Sequence, residues 1–283
     1  MSRRFLPLAS IVFLISGCSE TPTRIDRAEI PAPTTEALRL VFPFDSYVLS
    51  DSETHVTYEA GDVLMRTCMR QQGHDWKIVR TPKGFTDWRN RLHYGLIEPG
   101  VAARFGYHVP SDLQAPPEVR EVLAKIKTRQ SALTKDEAQA AQKCRKAADG
   151  QLTRNAKAPF ARFNDFKSKT YDEAQREPVV RRAMAAWSAC MRDKNFSYPT
   201  PIAAGEDSAW WAKDIREASG KEIATAKADV ACKKKTGLVA RWFDTERSLE
   251  QETIRSNQEY FTKLKAANDR YLENARRVLR SSE

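Results

Sequence analysis

Four cysteines, Cys68, Cys144, Cys190 and Cys232, constrain this chain more than any other feature. The nearest two, Cys190 and Cys232, are 42 residues apart. A four-cysteine zinc site usually contains at least one close pair such as C-x-x-C, so this spacing argues against a metal. An even number of widely spaced cysteines in an exported chain reads as two disulfides. Four cysteines allow three pairings.

An internal echo bears on which pairing forms. RTCMRQQGHDW (66–76) and SACMRDKNFSY (188–198) share Cys-Met-Arg. Each has a residue tolerant of left-handed backbone five positions after the cysteine, Gly73 or Asn195, and an aromatic eight after it, Trp76 or Tyr198. This pattern predicts a helix that carries its cysteine near the last turn and stops at a left-handed residue, with the aromatic packing back on the helix end. AAQKCRKAADGQL (140–152) and ADVACKKKTGL (228–238) form a second pair, each with alanine four before cysteine, a basic tail, and glycine five or six later. Basic residues there suit the negative end of a helix dipole. The chain therefore reads as two halves, and the echo favours Cys68–Cys144 and Cys190–Cys232, the other pairings staying open.

The fifth cysteine, Cys18, stands at the end of an apolar run. Arg3 and Arg4 precede twelve mostly apolar residues, Leu6 to Gly17. That is too short for a bilayer core, which needs about 20 apolar residues, but it has the layout of a secretory signal peptide. Leu14-Ile15-Ser16-Gly17-Cys18 resembles the bacterial lipobox. The resemblance implies cleavage after residue 17, diacylation of Cys18 and a cell-membrane location facing outside the cytoplasm. Two acyl chains give a stable anchor where one is marginal. Arg3-Arg4-Phe5-Leu6 lacks the residue that a twin-arginine signal places between arginine and phenylalanine.

Of 47 basic residues, two lie in the leader, leaving 45 against 37 acidic ones, a net charge of about +8. Such a surface favours anionic neighbours, lipid headgroups or wall polymers. Outside the cell, nucleic acid is not an expected partner.

Hydrophobic periodicity gives a mainly α fold: two disulfide-clamped helical halves followed by a long C-terminal helix. The expected organisation is a signal peptide (1–17), a Thr/Pro-rich flexible tether (18–36) and a first half (37–153). A second half (154–237) and a long helix (238–283) follow. Residues 38–49 read as extended. Helices are expected over 52–72, 98–105, 117–129, 135–149, 178–195 and 220–237, with Thr134 and Glu137 as a capping box. PFARFNDF (159–166) is ambiguous, Pro199 and Pro201 mark a loop, and Trp210-Trp211 fall in a short helix. Nothing interrupts 238–280, which at 1.5 Å per residue would extend roughly 60 Å. It is expected to pack near its start and to project near its end, as a coiled-coil arm or partner contact.

No catalytic constellation is legible. The histidines (55, 74, 93 and 108) include no i, i+4 pair, and there is no G-x-S-x-G or phosphate-binding glycine loop. His108 in GYHVP reads as a turn-orienting residue. Neither a metal nor another cofactor is expected. Asp45, Asp87 and Asp207 lie in loops near aromatics and are the candidate acid and base of a wall hydrolase. Trp76, Trp88, Trp210 and Trp211 are the candidate contacts for a ligand or partner, because indole stacks on sugars and fills protein pockets. The lysine run 233–235 and Arg276, Arg277 and Arg280 read as solvated helix faces.

With the Cys-Met helix ends, GYHVP, WSACM and A-D-V-A-C in view, residues 36–260 resemble a group of secreted or lipid-anchored actinobacterial proteins of unknown function. That resemblance implies an accessory envelope role, often beside export machinery with peptidoglycan-binding components, and no site residues. Asn195 stands where the group usually has glycine. The expectation is a non-enzymatic envelope lipoprotein that binds an envelope protein or an anionic wall polymer. The alternative is a cell-wall hydrolase using the loop carboxylates.

Overall fold

The computed structural model describes residues 30–80, 86–110, 113–157, 160–211 and 217–282. The signal peptide, Cys18 and most of the tether lie outside the described residues. Within them the chain is all helix and loop, with eleven α-helices, one 3-10 turn and no strand.

The expected tether ends earlier than residue 36. The carbonyl of Pro31 accepts from Arg91 Nη2 at 2.7 Å, and the Thr34 N–H donates to Glu98 at 2.7 Å. Helix α1 (Thr35–Leu38) follows, and the 3-10 turn Pro43–Tyr47 replaces the extended segment expected there. Pro43 sets φ for the turn, and Phe44 fixes it by burying its ring at 5.4 Å from Phe261.

One group of helices is built on α2 (Asp51–Gln71), which Ser50 and Glu53 start with a capping box. Helix α2 lies between α5 (Lys135–Leu152) and α11 (Gln258–Arg280). The expected Thr134–Glu137 box opens α5. Gly150 does not stop that helix, which runs two residues further. Met65, Met69, Trp76, Ala140, Ala141 and Cys144 form the α2–α5 core. Ala60, Leu152 and Ala275 close the contact with α11, where small side chains let the backbones approach.

The second group centres on α9 (Gly220–Thr236). Around it pack α3 (Pro99–Phe105), α7 (Pro178–Arg192) and the short α8 (Pro201–Gly205). Helix α10 (Leu238–Ser256) lies on α6 (Phe160–Arg176) and α7. Helix α4 (Pro117–Ser131) precedes α5. Because α3 packs on α9 and α11 returns to α2, the two sequence halves interleave within one compact unit, Pro31–Glu283.

The disulfides are Cys68–Cys144, joining α2 to α5, and Cys190–Cys232, joining α7 to α9, with Cα separations of 5.6 and 5.7 Å. The echo is geometric too. Gly73 and Asn195 have φ of 79° and 65°. The next residue's N–H bonds back to Met69 O at 2.9 Å or Met191 O at 3.0 Å. Asparagine tolerates this left-handed position, so the cap survives the change from glycine. The aromatics diverge. Trp76 packs into the core, whereas Tyr198 is held by its carbonyl, which accepts from Ser188 Oγ at 2.7 Å.

Three sequence expectations are corrected. Within the ambiguous 159–166, residues 160–166 open α6, whose Phe163, Thr170 and Ala174 form its buried stripe. Pro201 begins α8, and Trp210 sits in a turn rather than a helix. The long C-terminal helix is two helices, broken at Asn257 (φ −130°, ψ 35°). There the Asn257 Nδ2 donates to Thr253 O at 2.9 Å, a local bond that competes with the helix ladder. Nor does its end project: Leu264, Leu272 and Ala275 are buried, and α11 packs along α2 instead of forming an arm.

Candidate functional site

Three of the sequence-nominated residues, Asp45, Asp87 and Trp88, are brought together from distant parts of the chain. A polar cleft of about 310 Å³ lies between the 3-10 turn, the start of α2, residues 87–90 and one face of α11. Asp45, Glu53, Asp87, Trp88, Arg89 and Asn90 line it, with Lys265, Asn268 and Asp269 across from them. Trp88 is half-buried there.

Asp45 and Asp87 each have a structural task in the cleft. Asp45 Oδ2 accepts from the Phe42 N–H and from Asn90 Nδ2, both at 2.8 Å, closing the 3-10 turn. Asp87 accepts from Arg89 Nε at 2.6 Å, from the Arg89 N–H at 2.9 Å and from the Asp51 N–H at 3.3 Å. The side chains of Asp51 and Asp87 are in hydrogen-bond contact. Burial, then the hydrogen bond to Asp87 and its charge, push Asp51 up to about 6. Burial opposes ionisation of Asp87 as well, but its bonds to Arg89 and to Asp51 hold it below the usual carboxylate range. Two like carboxylates in contact cannot both ionise readily. The pair stands at the N-terminus of α2. It does not match glycoside cleavage, whose carboxyl groups stand about 5–9.5 Å apart.

Asp207 is elsewhere, accepting from the Tyr198 hydroxyl at 2.6 Å and from the Ala209 N–H at 2.9 Å. The four tryptophans do not form one platform. Trp76 is only 2% exposed; its Nε1 donates to Asp62 at 3.1 Å and the Arg129 guanidinium lies over its ring at 4.2 Å. Trp210 is also buried, its Nε1 donating to Ala204 O at 2.8 Å. These two are core residues. Trp211 is 51% exposed and lies against the His108 ring at 4.5 Å.

Sequence reasoning missed the buried charges on α9 and α10. Lys233, expected on a solvated face, is buried: its Nζ donates to Asp229 at 3.0 Å and to Leu96 O at 2.8 Å. Lys234 and Lys235 are exposed, as are Arg276, Arg277 and Arg280. Glu222, fully buried, accepts from the N–H groups of Tyr107 and His108 at 2.7 and 3.1 Å and contacts His108 Nδ1 at 2.9 Å. This is how GYHVP is held in its turn. A Cβ on Gly106 (φ 54°) would come within 2.7 Å of Glu222 Oε1, so the turn requires glycine. Glu246 accepts from Tyr94 Oη at 2.8 Å and contacts His93 Nε2 at 2.9 Å, and Glu250 accepts from the Phe44 N–H at 2.8 Å. The signal for these residues was present: acids at 222, 229, 246 and 250 share helix faces with apolar positions, where an unpaired charge would be costly.

Among the described residues, no cluster of three metal-ligating side chains is present. Compared with known protein families, with curated proteins and with solved structures, the chain has no match.

Proposed function

We propose that this chain is a lipid-anchored binding protein of the cell envelope, held by Cys18 and facing outside the cytoplasm. It contacts an envelope protein or an anionic wall polymer. The observation that carries the reading is that all four cysteines downstream of Cys18 are paired between helices. Disulfides of this kind persist in oxidising compartments, which is where a lipobox-type leader would deliver the chain. The excess of basic residues suits an anionic neighbour. The cleft carboxylates are engaged in capping and turn closure, which supports binding rather than catalysis. Trp88 and Trp211 are the two nominated indoles within a partner's reach. Crosslinking in intact envelopes followed by pull-down tests the reading: recovery of a defined envelope protein or wall polymer is expected, and recovery of neither contradicts it.

The second reading, a wall hydrolase, is favoured by one observation, the location of Asp45 and Asp87 in the same cleft, with Asp51 in contact with Asp87. Under it, the purified protein digests peptidoglycan. Loss of that digestion on alanine substitution at Asp45 or Asp87 would support it; digestion that survives substitution at Asp45, Asp87 and Asp207 removes these residues from consideration.

A further inference from the structure

The polar cleft holds hydrogen-bonding capacity that the fold leaves unused. Asn268, on α11, lines it and is only 7% exposed. Its Nδ2 donates to Tyr47 O at 2.6 Å, which fixes the amide and leaves Oδ1 as the spare atom. That oxygen accepts from nothing among the described residues, yet it keeps accessible surface. In a residue so buried, the cleft is where that surface opens. Asn90 repeats the arrangement across from it. Its Nδ2 donates to Leu40 O at 2.9 Å and to Asp45 Oδ2 at 2.8 Å. Asn90 Oδ1 and Asp45 Oδ1 accept from nothing among the described residues, and neither is cut off from solvent. All three spare groups are acceptors, and neither amide can turn without losing its own bonds.

Charge narrows the ligand further. Arg89 is bound to Asp87, and Lys265 to Asp269 at 3.1 Å. Asp45 and Glu53 form no ion pair among the described residues. The N-terminus of α2, which would otherwise draw an anion, is already filled by Ser50 and Glu53. An anion therefore meets Asp45 with nothing to hold it. An apolar ligand leaves the three acceptors bare, and a quaternary ammonium has the right charge but no N–H to give. A primary ammonium has the charge and three donors. Leu38 and Val41, 40% and 63% exposed, line the cleft too and suit a short apolar body behind the charge. The volume of about 310 Å³ is at the small end of ligand sites, the size for one such group.

We infer that this cleft binds a primary ammonium group carried on a short apolar chain, whose N–H donors go to Asp45 Oδ1, Asn90 Oδ1 and Asn268 Oδ1. Lysine side chains and free peptide amino groups both present this chemistry. The inference names how the partner in the reading above is held, and rests on that reading only for where the amine is met. Amine binding by the purified chain can fail while crosslinking still recovers a partner, and the reverse.

The test is ligand-observed saturation-transfer NMR on the full chain in detergent. The probes are n-butylamine, Nα-acetyl-lysine amide and alanyl-alanine amide, with 1-butanol, butyrate and butyltrimethylammonium as controls for chain, charge sign and missing donors. Butylamine is expected to bind, and the controls to bind at least tenfold more weakly. Whichever of the two amides competes with it identifies a side-chain or a terminal amine as the source. Asp45→Asn, which keeps oxygen acceptors and removes the charge, should weaken binding about tenfold, the effect of one weakened charged hydrogen bond. Val41→Lys places a competing ammonium at an exposed position and should weaken binding at least as much, with an unchanged melting temperature. Leu123→Ala, exposed on α4, should leave binding as it is. Butanol or the quaternary ammonium binding as tightly as butylamine would overturn the inference. So would butylamine binding that neither Asp45→Asn nor Val41→Lys alters, or binding of none of the amines.

Discussion

Arg91 and Glu98 form an ion pair at 2.6 Å with both side chains almost wholly out of solvent. Arg91 also donates to Pro31 O and Leu113 O, and Glu98 accepts from the Thr34 N–H. The pair thus fastens residues 31–34, 91–98 and 113 at one point. Breaking a buried pair by removing one partner leaves an uncompensated charge and costs about 3–5 kcal/mol. Arg91→Met should destabilise by that amount in chemical denaturation. Arg91→Met with Glu98→Met should cost less than the sum of the single changes.

The disulfides close loops of 76 and 42 residues. On the chain-entropy account each contributes roughly 4 kcal/mol. Replacing either pair by alanine should lower the denaturation midpoint by an amount corresponding to about 2–5 kcal/mol. Cys68/Cys144→Ala should release chiefly the α2–α5 contact, read as faster amide exchange there than in α7 and α9.

Stability should fall as pH rises. Burial pushes Glu250 up to about 8, against the Phe44 N–H that it accepts, with Glu246 and Asp45 adding repulsion. A carboxyl whose folded value lies above its unfolded one, near 4.5, holds its proton more tightly when folded. Its contribution is complete below pH 4.5 and is lost as pH rises through 8. Glu250→Gln keeps an acceptor for Phe44 and removes the titration. Between pH 5.5 and 8.5 the wild type should lose roughly 1–3 kcal/mol more than this variant does. Asp51, raised to about 6, adds a loss in the window from about 4 to 6 that Glu250→Gln does not remove.

The two kinds of tryptophan should separate cleanly. Trp76→Ala empties a packed site between α2 and α5 and should cost about 3–5 kcal/mol. Trp211→Ala, at a half-exposed position, should cost under about 1 kcal/mol. A similar loss at both positions would contradict the assignment of Trp76 to the core and Trp211 to the surface.

Much of the fold was legible in the residues because it is set locally. Ser50–Glu53 and Thr134–Glu137 announce helix starts, Pro99 and Pro178 occupy first turns, and Gly73 and Asn195 mark the stops that pair the cysteine helices. What failed was set by tertiary contact. Helix α6 carries its Phe163 against Phe44, more than a hundred residues earlier in the chain, and its aromatic spacing is helical only when read past residue 166. The break at Asn257 needs neither proline nor glycine, only a side chain that bonds the preceding turn. Lys233 looked solvated because it heads a lysine run; its burial depends on Asp229 one turn before it and on Leu96 from a distant loop. The cleft at Asp45 and Asp87 was half legible, since a loop position near aromatics nominated the acids but not Asp51, whose role as first residue of α2 hid its contact with Asp87.

The most direct test of the central claim is intact-mass spectrometry of the protein extracted, without reductant, from its own cell envelopes. The account predicts a chain that begins at Cys18, carries diacylglycerol, and is lighter by four hydrogens for the disulfides Cys68–Cys144 and Cys190–Cys232. A chain that retains residues 1–17, lacks acyl groups on Cys18, or has those four thiols reduced would contradict it.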